Sequence, residues 1–151
     1  MSTYILQIIA AFVGSFGFAM LFNVRKSLIL PASAGGILCW VVYLLCEHSG
    51  FGVFVSSLLT AMVVSLYAQI FARIRKTPST IFFVSSIIPL IPGSSLFYTM
   101  YNAVSGEAEL FAAHGINTLL CACGIAAGTA FVYAVFIIFT NFAKRKTGAE
   151  N

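Results

Sequence analysis

One stretch interrupts a long apolar run and decides the fold: IIPLIPGSSLFYTMY, residues 87–101. It lies within residues 81–104, which are long enough to cross a bilayer, since a span takes about 20 apolar residues. Pro89, Pro92 and Gly93 break this helix near its centre, because proline removes a backbone donor and glycine relaxes helical geometry. In hydrocarbon the freed backbone groups are costly unless protein or a water-lined cavity receives them. The break is therefore the first place to look for function.

The rest of the chain has the composition of an integral membrane protein. Of its 151 residues, 60% are hydrophobic and 8% are charged, whereas soluble domains carry about 25% charged residues. The net charge is +4, but the basic residues form short clusters between apolar runs. Such clusters are typical of topology determinants, so nucleic acid is not an expected partner.

Five apolar runs predict an all-α bundle of five transmembrane helices in a single transmembrane domain, with the fourth helix broken at Pro89–Gly93. The predicted helices cover residues 4–22, 28–46, 51–72, 81–104 and 116–142. All eight Lys and Arg residues follow the first, third and fifth runs, whereas Glu47, Glu107 and Glu109 follow the second and fourth. Because Lys and Arg stay cytoplasmic, the N-terminus is predicted outside and the C-terminus inside the cell membrane.

The sequence contains no arrangement of residues typical of an enzyme or a metal site. It has no Asp, and no Lys, His or Glu lies at core depth beside a serine. His48 and His114 are predicted near the outer surface, without a Cys or second His at metal-ligand spacing. Catalysis, a metal and a cofactor are therefore not expected.

Small and polar residues recur at helical spacing in three of the runs. Two interpretations are compatible: these residues pack helices together, or they also line a polar path through the membrane. They are Gln7, Ala11, Ser15, Ala19 and Asn23 on the first helix, Ser57, Ala61, Ser65 and Gln69 on the third, and Gly124 and Gly128 on the fifth.

The break itself predicts an anion site. A new half-helix is expected to begin at about Ser94, and its first amides have no intrahelical partners. Together with the helix dipole they attract a negative charge, and Ser94 and Ser95 add hydroxyl groups. Half-helix N-termini that face a substrate carboxylate are known in transporters. The alternative is a proline kink with a purely structural purpose.

Residues 89–101 resemble the proline–glycine motif of the threonine/serine exporter family, in particular the small five-helix subunit of its two-component form. Residues 22–25 and 31–43 support this resemblance. It implies export of small carboxylates, either amino acids such as threonine and serine or a dicarboxylate such as succinate, coupled to a proton gradient. It also implies a partner, the larger five-helix subunit of the same family, with which this chain would form an inverted pair.

The first functional hypothesis is therefore a subunit of a membrane exporter, and the second is a non-transporting subunit that assembles or stabilises a partner transporter. A homo-oligomer is also compatible with the sequence. Arg25 is a candidate for attracting anionic substrate at the cytoplasmic mouth, although a basic residue there also serves as a plain topology anchor. The predicted substrate-binding residues are Pro92, Gly93, Ser94, Ser95, Tyr98 and Asn102.

Overall fold

The computed structural model describes residues 2–148, and the side chains of residues 3–140. The basic side chains predicted to end the fifth helix, Lys144 to Lys146, lie outside the described side chains. All regular structure in the described part is helical, which confirms the all-α prediction. The elements are α1 (Ser2–Leu21), α2 (Lys26–His48), α3 (Val53–Arg75), α4 (Ser79–Ile87), a 3-10 turn (Ile88–Leu90), α5 (Gly93–Ser105) and α6 (Ala108–Gly148).

Four of these helices, α1, α2, α3 and α6, are each long and apolar enough to cross a membrane. The helices α4 and α5 meet this criterion only together, and they are bent by 53° at the break between them. The predicted interruption of the fourth helix is therefore confirmed. The described chain has four candidate spans, or five if the bent pair counts as one.

The predicted loop before the fifth helix is wrong, because α6 begins at Ala108 rather than at residue 116. Helix α5 ends at Ser105, and the capping residue Gly106 adopts a left-handed conformation with φ +76° that glycine accepts without strain. Alanines are strong helix formers, and Glu109 in the first turn of α6 interacts favourably with the helix dipole. His114, which precedes the predicted start of the fifth helix, therefore lies within α6.

Helix α3 is at the centre of the bundle and packs against α2, α4 and α6, while α1 packs on α2 and α5 on α6. The interpretation of the small-residue stripes as packing faces is confirmed for α1 and α3. The buried members are Ala11, Ser15 and Ala19 on α1 and Ser57, Ala61, Ser65 and Gln69 on α3.

Glycines on α6 allow its backbone to approach α3 closely. A Cβ atom built at Gly128 would lie 2.4 Å from the carbonyl oxygen of Leu58, and one at Gly124 would be 2.6 Å from a carbonyl oxygen of α3. Further along, the guanidinium of Arg73 lies 4.4 Å from the ring centroid of Phe136. Contacts thus advance along both helices in the same direction, so α3 and α6 run parallel.

One apolar cluster fixes which helix ends lie together. It joins Ala19 near the end of α1, Leu28 near the start of α2, Ala72 near the end of α3 and Phe82 near the start of α4. The basic residues of the α1–α2 turn and of the α3–α4 connection therefore lie at the same end of the bundle.

Candidate functional site

The break between α4 and α5 is a defined turn. After the 3-10 turn, Ile91 is extended, and Pro92 follows with φ −77° and ψ 56°. This is the geometry of an inverse γ-turn, and the Gly93 amide accordingly donates to the Ile91 carbonyl oxygen at 2.7 Å. Helix α5 begins at Gly93, one residue before the predicted start.

Two backbone N–H groups at the start of α5 have no hydrogen-bond partner in the described part of the chain. Pro92 has no amide hydrogen, and the γ-turn occupies the amide of Gly93. The first helical hydrogen bond runs from the Leu96 amide to the Pro92 carbonyl oxygen at 3.0 Å. The amides of Ser94 and Ser95 precede that bond, and no side chain caps them within the described residues. The prediction of an anion site therefore concerns these two amides.

A cysteine thiol donates a hydrogen bond to a backbone carbonyl that has no helical partner at the break. The Cys121 thiol on α6 donates to the Leu90 carbonyl oxygen at 3.5 Å, and the Ser57 hydroxyl on α3 donates to Cys121 Sγ at 3.2 Å. A carbonyl that has lost its helical partner is thereby satisfied, as burial requires. Cys121 is buried in the core, and its two hydrogen bonds also hold the turn between α3 and α6.

A cavity of about 280 Å³ opens at the break. The 3-10 turn and the start of α5 form one wall, and α2, α3 and α6 form the others. Its lining is apolar with a few neutral polar groups: Trp40, Tyr43, Val53, Pro89, Leu90, Ile91, Pro92, Ser94, Ser95, Asn117 and Cys121. Neutral donors and acceptors on an apolar background are typical of small-molecule sites.

The structure brings three of the predicted binding residues to this cavity: Pro92, Ser94 and Ser95. Ser94 is exposed, whereas the Ser95 hydroxyl donates to the His114 carbonyl oxygen on α6 at 3.1 Å. The Ser95 hydroxyl therefore also fastens α5 to α6. Gly93 lies beside the cavity, but its amide is already used.

The other predicted residues lie away from the cavity lining. The Tyr98 ring stacks on the ring of His114, with 5.4 Å between centroids. Asn102 is buried, with 6% of its surface exposed, near the far end of α5. Arg25 is exposed in the turn before α2, where it caps the helix without a side-chain hydrogen bond.

Sequence reasoning missed the residues that other helices contribute to the cavity. The sequence could have indicated Asn117, because it is a polar amide residue near the start of the fifth apolar run. The sequence could also have indicated Trp40, because it is the sole tryptophan of the chain. Tyr43 and Cys121 had no such signal, because only the packing of α2 and α6 against the break brings them there.

A larger cavity lies elsewhere in the described structure. It is a groove of about 830 Å³ between α3 and α6, lined mainly by aliphatic and aromatic side chains such as Leu66 and Phe139, with Arg73 at one end. Leu66 and Phe139 are 50% and 74% exposed, so the groove opens to the outer face of the bundle. An apolar outward-facing groove suits hydrocarbon better than a polar solute. No three His, Cys, Asp or Glu residues in the described range could together hold a metal ion.

Comparison with known families gives a match over most of the chain. A sequence model of the family described as "Threonine/Serine exporter, ThrE" matches residues 7–135, which include the break and all residues that line its cavity. No curated protein and no solved structure matches the chain. The matched range covers most of the 151 residues. The chain is therefore a multi-pass membrane protein that belongs to the threonine/serine exporter family.

Proposed function

We propose that this chain is a subunit of an exporter of small carboxylates and that the cavity at the break binds the substrate carboxylate. The observation that carries the proposal is the pair of unpartnered amides of Ser94 and Ser95 at a cavity with neutral polar walls. A carboxylate accepts from such amides, and the N-terminus of α5 adds roughly half a positive charge. The substrate is an amino acid such as threonine or serine, or a dicarboxylate such as succinate.

The absence of Lys and Arg from the cavity lining suits transport. Two amides and a helix dipole hold a carboxylate less strongly than an ion pair in a dry site, so the substrate also leaves readily. The volume of about 280 Å³ is near the lower limit of small-molecule sites, which favours a small substrate.

We further propose that the bent pair α4–α5 is one span, which gives five spans with the N-terminus outside and the C-terminus inside the plasma membrane. Two features support this: all eight Lys and Arg follow alternate spans, and the apolar cluster of the fold brings the first two basic clusters to one end. The amides of Ser94 and Ser95 then face the cytoplasm. Arg25 lies at the inner mouth, and Tyr98 and Asn102 lie on the outward side of the site.

The proposed partner is the larger five-helix subunit of the same family. The cavity offers a carboxylate only two free amides and a few neutral side chains, so the partner would complete the site. An inverted pair of five-helix units is an arrangement that supports alternating access.

The test measures threonine, serine and succinate inside and outside cells that lack both subunits and regain them together. Export restored by the pair is expected to fall at least about tenfold with Ser94→Ala/Ser95→Ala at equal membrane level, because the Ser94 hydroxyl bond to the carboxylate and the Ser95 bond that holds α5 on α6 are both lost. The matched control is Ser27→Ala/Ser105→Ala, which removes two exposed hydroxyls away from the cavity. Unchanged export in the Ser94/Ser95 variant would remove the site.

The same cells separate transport from the alternative of an assembly subunit. If the partner alone, once folded, exports at the full rate, this chain only stabilises it. Export that needs both chains and depends on Ser94 and Ser95 contradicts that alternative.

A further inference from the structure

A second cavity adjoins the one at the break. It has a volume of about 250 Å³, and residues of α1, α2 and the 3-10 turn line it. Trp40 and Pro89 line both cavities, so these two side chains form the wall between them. On the α1 side, Gln7 lines this second cavity.

A third cavity, of about 740 Å³, continues from the second. Gln7 lines both, and the third cavity reaches Glu47 and His48 at the C-terminal end of α2. The three cavities therefore share lining residues in sequence from the break to that end of the bundle, and the third opens to the outer face, because Tyr4 and Leu45 are 56% and 62% exposed. Trp40 lies at the first junction and Gln7 at the second.

A buried polar atom without a partner lies at each junction. Nε1 of Trp40 and Oε1 of Gln7 are both inaccessible to solvent and have no hydrogen-bond partner. Such atoms are rare in folded proteins because each costs free energy. A serine hydroxyl in a helix can rotate to a carbonyl of the preceding turn, but an indole N–H cannot. The Trp40 ring is also held by stacking on Tyr43, with 5.6 Å between centroids.

These two atoms have complementary chemistry. The indole N–H only donates, and the amide oxygen only accepts. A zwitterionic α-amino acid supplies both missing partners, since its carboxylate accepts and its ammonium donates. A dicarboxylate at neutral pH supplies an acceptor for Trp40 but no donor for Gln7.

We propose that Trp40 and Gln7 form a second subsite, which receives an amino-acid substrate after it leaves the break. Because both atoms are buried in this structure, the Trp40 and Gln7 side chains must first rotate toward the cavity. Trp40 Nε1 then donates to the substrate carboxylate, and Gln7 Oε1 accepts from its ammonium group. This inference rests on the proposed export function and selects amino acids over dicarboxylates as its substrates. Passage between the first two cavities requires the Trp40 side chain to move relative to Pro89.

The test uses Trp40 as its own reporter, because the chain has a single tryptophan. The purified full-length chain in lipid nanodiscs is titrated with threonine and, separately, with succinate, while the tryptophan emission is recorded. Threonine is expected to change the emission, and Gln7→Leu is expected to weaken its apparent affinity about 10- to 100-fold, the loss of one bond to a charged group. Succinate binding is expected to be the same in wild type and Gln7→Leu.

The matched control is Gln69→Leu, the same change at a buried glutamine that lines none of the three cavities. It is expected to bind threonine as wild type does. If Gln7→Leu does not insert, Gln7→Met keeps the side-chain length and removes the same acceptor. Equal threonine affinity in the wild type and the Gln7 variant, or emission that does not respond to threonine, would overturn the subsite.

Export measurements separate this inference from the proposed function. Gln7→Leu and Trp40→Phe are each expected to reduce threonine export in cells that also contain the partner. If both export normally while Ser94→Ala/Ser95→Ala does not, the second subsite is refuted and the site at the break stands. If the Ser94/Ser95 variant also exports normally, the proposed function fails as well.

Discussion

Replacing Gly128 by alanine is expected to separate α6 from α3 and to destabilise the protein. The new Cβ atom would lie 2.4 Å from the Leu58 carbonyl oxygen and 3.1 Å from Ala61 Cβ. Ordinary van der Waals contact begins at 3.4 Å, and the nearest atom belongs to backbone, so it cannot rotate away. Helix α6 must therefore move by about 1 Å, a small shift that a packed interface does not absorb freely. Helix α6 also carries Asn117 and Cys121, so one wall of the cavity moves with it.

The expected change in the free energy of unfolding follows from two opposing effects. Overpacking a close contact costs about 1–3 kcal/mol. Alanine in a helix interior gains about 0.5–1 kcal/mol over glycine, because the unfolded chain loses less entropy on folding. The net expectation for Gly128→Ala is a loss of about 1–2 kcal/mol in the free energy of unfolding.

The assay is reversible unfolding in mixed micelles with an increasing fraction of sodium dodecyl sulfate, followed by circular dichroism. Gly115→Ala is the matched control, because it lies on the same helix and its Cβ would meet Thr99 Cγ2 at an ordinary 3.6 Å. The control is expected to be as stable as wild type or slightly more stable. A Gly128→Ala protein with wild-type stability would show that the close approach of α3 and α6 is not needed.

Further expectations concern other contacts and the topology. Gly36→Ala places a Cβ 1.9 Å from Ser15 Oγ; it is expected to lower stability in the same assay, and adding Ser15→Gly is expected to recover part of the loss. Ser95→Ala is expected to cost about 1 kcal/mol because it removes the bond to the His114 carbonyl oxygen. Ser94→Ala is expected to leave stability unchanged. Equal stability of the Ser94→Ala and Ser95→Ala proteins would contradict the assignment of the stabilising hydrogen bond to Ser95 alone. A fluorescent protein fused after the last residue is expected to fluoresce in cells and alkaline phosphatase there to be inactive; active phosphatase would reverse the proposed orientation.

The break was predictable from sequence because proline and glycine act on the backbone locally. Pro92 and Gly93 interrupt the helix whatever surrounds them, so a free helix N-terminus near Ser94 followed directly. The γ-turn that uses the Gly93 amide was not predictable, since the sequence does not determine ψ of Pro92.

The walls of the cavity were less predictable, because they come from distant parts of the chain. Trp40 and Asn117 meet the break only after α2 and α6 pack against it. The polar stripe of α1 contains both packing residues and a residue that lines cavities. Its Ala11, Ser15 and Ala19 are buried packing residues, while Gln7 one turn earlier lines two cavities. Spacing alone assigns all four to one face and does not separate these roles.

The decisive measurement is on the two backbone amides that no side-chain substitution removes. The chain is labelled with ¹⁵N-serine and combined with its unlabelled partner, and amide resonances are followed by NMR in micelles as threonine is added. The Ser94 and Ser95 resonances are expected to shift downfield as their amides donate to the carboxylate, while those of Ser27 and Ser105, away from the cavity, stay in place. Stationary Ser94 and Ser95 resonances at threonine concentrations that support export would contradict carboxylate binding at the broken helix.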